Sequence, residues 1–172
     1  MAKTRTILDL LEDEVKDLYS AETQLLKAIP KMIKGSNDEG LKTAFQGHLK
    51  ETEGQVERLT KIAEILNFKP TGKKCVGMEG CVKEGAEALE ETGEENVVDL
   101  GIIGAGVRVE HYEMAGYMTA IGLAQRIGEK EVAQLLGQSL AEEQAAEAKL
   151  RQLASTLLKS STIDQQAHRA SA

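Results

Sequence analysis

Residues 96–127 read NVVDLGIIGAGVRVEHYEMAGYMTAIGLAQRI, a long run free of proline that Gly128 brings to a stop. Residues 129–158 resume apolar residues at helical spacing, so the two segments predict an antiparallel helical hairpin. Within it Glu113 mirrors Glu143, and Glu110 mirrors Glu147, the position averages being 128 and 128.5. An α-helix climbs about 1.5 Å per residue, so equal counts from a turn mean equal height. Four glutamates therefore share one level of the hairpin, and they occupy positions where a core residue belongs.

A second hairpin is predicted over residues 4–33 and 38–67, with its turn at Gly35, Ser36, Asn37 and Asp38. The first helix carries the stripe Leu8, Leu11, Val15, Leu18, Glu22, Leu25, Ile29 and Met32, and the second runs Leu41, Phe45, His48, Leu49, Thr52, Val56, Leu59, Ile62 and Leu66. Glu22 breaks one stripe and Glu51 stands at the edge of the other; 22 and 51 average 36.5, again level about the turn. Pro30 removes an interior hydrogen bond and predicts a kink or an irregular last turn. Residues 68–94, with Pro70, Gly72 and Gly77, form a crossover whose stretch 78–91 reads as a short extra helix. Such a connection lets the third long helix start at the far end of the bundle, as in ferritin-like topology. That helix has the stripe Val97, Leu100, Ile103, Val107, Glu110, Met114, Met118, Ile121 and Leu123, and so much apolar surface predicts a dimer contact or cover from the crossover helix. The last helix places Val132, Leu136, Leu140, Glu143, Glu147, Leu150, Leu153 and Leu157 on one face. The expected architecture is all-α: one antiparallel four-helix domain over residues 1–158, then a polar tail, 159–172, in which His168 carries no function.

Composition agrees with a helical chain, since proline numbers 2, tryptophan 0 and aromatics make up 3% of 172 residues. A net charge of −7 argues against nucleic acid, whose phosphates demand lysine and arginine clusters. No uncharged apolar run approaches the roughly 18 residues of a membrane span, and residues 1–5 lead into an amphipathic helix without a signal-peptide core. A soluble cytoplasmic protein is expected. Cys75 and Cys81, six apart, match neither a zinc knuckle nor a redox C-x-x-C pair and read as free thiols.

Carboxylates gathered at one level of a bundle repel in a low dielectric, so they must share protons, reach water or hold a cation. Glu110 and Glu113, three apart, lie on one helix face, as do His48 and Glu51; Glu143 and Glu147, four apart, do the same. With Glu22 this makes six carboxylates and one imidazole, a donor set suited to a hard ion such as iron or manganese rather than zinc. His48 reads equally as a ligand or a core histidine, and His111 as a surface group turned away from the pair. Glu12, Glu14, Glu53, Glu57 and Glu142 lie off the stripes and read as solvated. Tyr19 and Tyr112 are candidate donors to the carboxylates.

The segments LYSAETQL (18–25), HLKETEGQVERL (48–59), KCVGMEG (74–80), VEHYEMAGY (109–117) and LAEEQAAEAKL (140–150) resemble the YciF-like branch of the ferritin-like superfamily, nearly the whole chain to residue 158 being covered. That resemblance implies a bacterial, stress-linked homodimer similar to rubrerythrin and other di-iron carboxylate bundles. It implies Glu22, Glu51, Glu110, Glu113 and Glu143 as the carboxylate ligands, by position. Two departures stand out: the second helix reads H-x-x-E with glycine at position 54, and position 146 is alanine where the superfamily has histidine, leaving Glu147 as the nearest substitute. The expected function is a dinuclear iron or manganese centre handling peroxide or dioxygen, bridged by Glu51, Glu113 or Glu143 with Glu22 and Glu147 terminal. The alternative is a metal-free structural or interaction bundle on the same scaffold.

Overall fold

The computed structural model describes residues 5–161. Thr6 starts the first helix, α1 (Ile7–Gly35), with a reciprocal box: its hydroxyl accepts from the Asp9 amide at 3.1 Å while its own amide donates to Asp9 Oδ2 at 2.7 Å. Asp38 starts α2 (Glu39–Ile65) by accepting from Leu41 N at 2.8 Å. Cys75 caps α3 (Val76–Ala88), its Sγ 3.3 Å from Met78 N, which is why the crossover helix begins two residues earlier than its sequence predicts; it also ends three residues earlier. The helices α4 (Glu95–Ile127) and α5 (Lys130–Ser160) meet at Gly128, whose φ of 84° is left-handed. Of the two expectations at Pro30, the irregular last turn is not found: α1 runs on through it for another turn to Gly35. Helix α5 passes the predicted break at 158, and residues 162–172, His168 included, lie outside the described residues.

Four long helices form a ring in which α1 packs on α2 and α4, and α5 packs on α2 and α4, while α3 lies across α4 and α1. Short turns make each hairpin antiparallel. The crossover returns the chain to the α1–α2 turn, where buried Asp99 of α4 accepts from the amides of Asn37 and Asp38 at 2.8 and 2.7 Å. Helix α4 thus starts at the same end as α2 and runs parallel to it, the ferritin-like connection. No helix among the described residues is long and apolar enough to cross a membrane.

Helix α4 is rotated from its predicted stripe. Val97 and Met118 are 52% and 54% exposed, while Asp99, Ile102, Gly106, Val109, Glu113, Tyr117, Ala120 and Ala124 face inward with Ile103 and Glu110. The cause is physical: apolar and small residues lie on nearly every side of α4, so the sequence offers little contrast between faces. Cover from α3, the second of the two expected sources, takes up part of that surface.

Close approach of α3 to α4 depends on Gly77. A methyl there would stand 2.7 Å from Tyr112 Oη, and that hydroxyl is committed to Asp17 Oδ2 at 3.0 Å and Cys75 Sγ at 2.9 Å. Gly80, on the same helix, has nothing within 4 Å. Gly77→Ala is expected to destabilise the protein by about 1–3 kcal/mol through overpacking. Gly80→Ala is expected to be neutral or to add up to about 1 kcal/mol of helix stability. Urea melts of the two variants check the pair, and equal midpoints would show that the Tyr112 contact does not hold α3.

Candidate metal centre

Two apolar cores occupy the two ends of the bundle. Leu25, Ile29, Leu41, Phe45, Ile102 and Leu150 belong to one, and Leu11, Val15, Leu59, Ile62, Tyr117 and Leu136 to the other. Between them lies a belt of buried polar side chains: Glu22, His48, Thr52, Gln55, Glu110, Glu113, Ser139, Glu143 and Glu147. Each of the four long helices contributes at least one. Glu22 interrupts the buried stripe of α1, and its neighbours one turn either side, Leu18 and Leu25, tie it to both cores.

Donor atoms of His48, Glu110, Glu113 and Glu143 all lie within 4.8 Å of one another. His48 Nε2 is 3.4 Å from Glu110 Oε1 and 3.8 Å from Glu143 Oε2, and its Nδ1 is 3.5 Å from Glu51 Oε2. Glu22 joins from the opposite side, accepting a short hydrogen bond from the Tyr117 hydroxyl. The Gln55 amide donates a short bond to Glu143 and a second, at 3.1 Å, to Glu142. Among the described residues no lysine or arginine pairs with Glu22, Glu110, Glu113 or Glu143, so these acids are not neutralised by a fixed cation.

Burial pushes Glu22, Glu110 and Glu113 well above the usual carboxylate range, and repulsion from neighbouring carboxylates in the cluster adds to each shift; burial raises Glu143 as well, with Glu142 and Glu51 adding and the Glu110 contact and His48 opposing. Close carboxyl–carboxyl approach, Glu22 beside Glu113 and Glu143 beside Glu110, raises Glu113 and Glu110 further. Tyr117 is raised for the same reasons, burial first. Glu51 moves the other way, lowered chiefly by the neighbouring His48 ring.

The seven predicted ligands therefore separate by position. Glu22, His48, Glu110, Glu113 and Glu143 are in the belt's interior. Glu51 stands at its edge with a side chain 43% exposed, and it reaches the cluster only through His48. Glu147 is buried at the outer side, with Arg151 Nε 2.8 Å and His111 Nε2 3.4 Å from its Oε1. His111 itself is largely exposed, as its phase on α4 predicts. Tyr112 serves Asp17 and Cys75 instead of the carboxylates, and Tyr19 packs against the apolar core near Leu18. The hydroxyl that reaches the cluster is Tyr117, which the sequence reading passed over although it stands four residues after Glu113, one helical turn away. Gln55 is the second omission. Glu142, expected to be solvated, is paired with Arg58 and Gln55 at the belt's margin.

A test of fit comes from the polar atoms. Glu22 Oε2, both His48 nitrogens, Thr52 Oγ1, Gln55 Oε1, Glu110 Oε2, both Glu113 oxygens and Glu143 Oε2 are buried without a hydrogen-bond partner among the described residues. Buried polar atoms are ordinarily satisfied, and a concentration of orphans at one level calls for shared protons, water or a bound cation there. Carboxylate oxygens with one imidazole match a hard divalent cation, so the residues fit.

Residues 6–163 match the family described as Domain of unknown function (DUF892). The chain belongs to that family. It is 42% identical over 151 residues to Protein YciF of Escherichia coli K12, covering 87% of this chain and 91% of the relative. The crystal structure of that E. coli stress protein superposes with a TM-score of 0.88 at 40% identity, over 92% of this chain and all of the other. YcfI of Rhodopseudomonas palustris, a candidate structural protein, gives 0.83 at 37% identity over 88% of this chain and 97% of its own. A Xanthomonas campestris protein at 22% identity, with a TM-score of 0.69, shares the fold. The helical fold is thus shared with all three solved structures.

Proposed function

We propose that this DUF892 protein is a stress-associated ferritin-like protein that holds a dinuclear iron or manganese centre in its acidic belt. The orphaned oxygens of Glu113, both buried and unpartnered, are the observation that carries this reading. Glu22, His48, Glu110, Glu113 and Glu143 hold the ions, with Glu51 and Glu147 closing the set from its two margins. A pair of such ions supplies Lewis acidity and a clamp for an oxygen-bearing substrate, for which peroxide or dioxygen is the class. Tyr117 orients Glu22, and Gln55 orients Glu143, each by donating to one carboxylate oxygen and leaving the other free. The stress role rests on likeness to YciF. A homodimer in the cytoplasm belongs to the same proposal, supported by exposed Val97 and Met118 on the outer face of α4.

Chelator-treated protein dialysed against Mn(II) is expected to retain about two equivalents per chain. Glu113→Ala is expected to hold less than one, and Glu53→Ala, at an exposed position of α2, to behave as the parent. Elemental analysis after dialysis decides it; indistinguishable retention by Glu113→Ala and Glu53→Ala removes the centre. A metal-free structural role is the second reading, favoured by the burial that pushes Glu22, Glu110, Glu113 and Glu143 toward their neutral, protonated forms without an ion.

A further inference from the structure

A cavity of about 310 Å³ lies between α1, α3 and α4. Leu25, Ile29, Met32, Phe45, Val82 and Val109 give it apolar walls, and Ala28 and Ala105 leave it open by being small. At the outer end stand exposed Lys27 and Lys31 of α1, facing Glu79 and Ala86 of α3. The inner end is closed by His48 and Glu110, respectively 6% and 1% exposed. Among the described residues neither His48 nitrogen has a hydrogen-bond partner, its carboxylate neighbours standing 3.4 Å or more away, and Glu110 Oε2 has none. Small-molecule sites are commonly apolar clefts of about 300–1,000 Å³ with a few convergent polar groups, and this one has that form. A dry apolar cavity of about 150 Å³ holds benzene, so the volume here suits an apolar body of roughly ten heavy atoms.

We propose that this cavity binds an uncharged molecule with an apolar body and one small hydroxyl-type head, an alkyl alcohol or alkyl hydroperoxide, and brings the head to His48 and Glu110. Charge selects the class from both ends. Lys27 and Lys31 outnumber Glu79 at the mouth and disfavour an entering cation, and the apolar walls and the carboxyl oxygens of the floor disfavour an arriving anion. A hydroxyl-type head donates one bond and accepts others, which suits an unpartnered carboxylate oxygen beside an unpartnered imidazole. The apolar body gains by leaving water, at about 25 cal/mol per Å² buried. That this molecule is a substrate rests on the metal-centre reading above; that it binds does not.

Isothermal titration of the full chain, stripped of metal, with 1-octanol, octanoate and octylamine separates the classes. One 1-octanol per chain is expected, bound more tightly than either charged analogue. Ala28→Phe and Val82→Phe fill the cavity from α1 and α3, and each is expected to weaken 1-octanol binding roughly tenfold or more. Both variants should keep helical circular dichroism and the parent's Mn(II) stoichiometry. No 1-octanol binding, a charged analogue binding more tightly, or parent-like affinity in both folded variants overturns the proposal. Loss of Mn(II) retention with 1-octanol binding intact counts against the metal centre alone.

Discussion

Metal-free protein is expected to melt at progressively lower temperature as pH rises from about 5 to 8, and Mn(II) is expected to reverse the trend. Glu22, Glu110, Glu113 and Glu143 all have folded-state pKa values above the ordinary 4.5, burial being the largest cause for each. A carboxyl so raised binds its proton more tightly in the native chain than in the unfolded one. Its contribution to stability is complete below the unfolded value and is withdrawn as pH climbs through the folded one. Glu51 has the opposite sign, its contribution being lost as pH falls, but at 43% exposure it is a small opposing effect. Every tenfold change in native proton affinity is worth about 1.4 kcal/mol, or about 3–6 °C in Tm at this chain length. With four carboxyls contributing, a fall well beyond ten degrees is not needed to see the effect. A cation replaces those protons, so its affinity and its stabilisation grow as pH rises. Scanning calorimetry at pH 5.5, 6.5 and 7.5, with EDTA or with Mn(II), reads both arms. Superimposed EDTA and Mn(II) curves at pH 7.5 would leave the metal-free reading standing.

How far the sequence carried this centre depends on contrast and on distance along the chain. Helices α1, α2 and α5 alternate apolar and charged residues sharply, so their buried faces and the level shared by Glu22, Glu110, Glu113 and Glu143 could be counted from the turns. Helix α4 lacks that contrast, and its stripe was placed about a third of a turn away from the true one, which put Met118 inside and Tyr117 outside. Adjacent residues point about 100° apart around a helix, and Tyr112 accordingly faces α3 while Glu113 faces the belt. Gln55 carries no charge and no motif, and its role becomes visible only once α5 brings Glu143 against it. Cap chemistry was legible at Asp38 but not at Cys75, since thiols seldom cap helices and the sequence held no reason to expect one.

Asp99→Ala is expected to lower unfolding free energy by about 3 kcal/mol, a larger loss than most single changes in an apolar wall would bring. Nothing in VVDLG marks this aspartate, and its partners lie 61 and 62 positions earlier. Its side chain is fully buried, yet it accepts from Asn37 N, Asp38 N and, at 3.3 Å, Asn37 Nδ2. Hydrogen bonds to a charged acceptor contribute about 1.5–3 kcal/mol each, so two good ones outweigh the cost of burying the charge. The carboxylate also sits at the N-terminus of α2, where the helix's unpaired amides favour a negative group. Removing it strips two backbone donors of their acceptor and releases α4 from the α1–α2 turn. That pin sets the height of α4 relative to α1 and α2, and the height is what brings Glu110 and Glu113 level with Glu22 and His48. Asp99→Asn keeps one acceptor oxygen and loses the charge, so about half the effect is expected from it. Urea titration of the three proteins measures the stabilities, and Mn(II) retention under native conditions measures the alignment. If Asp99→Ala unfolds at the parent's midpoint, the pin is not structural; if it is destabilised but retains two ions, the bundle holds its level without it.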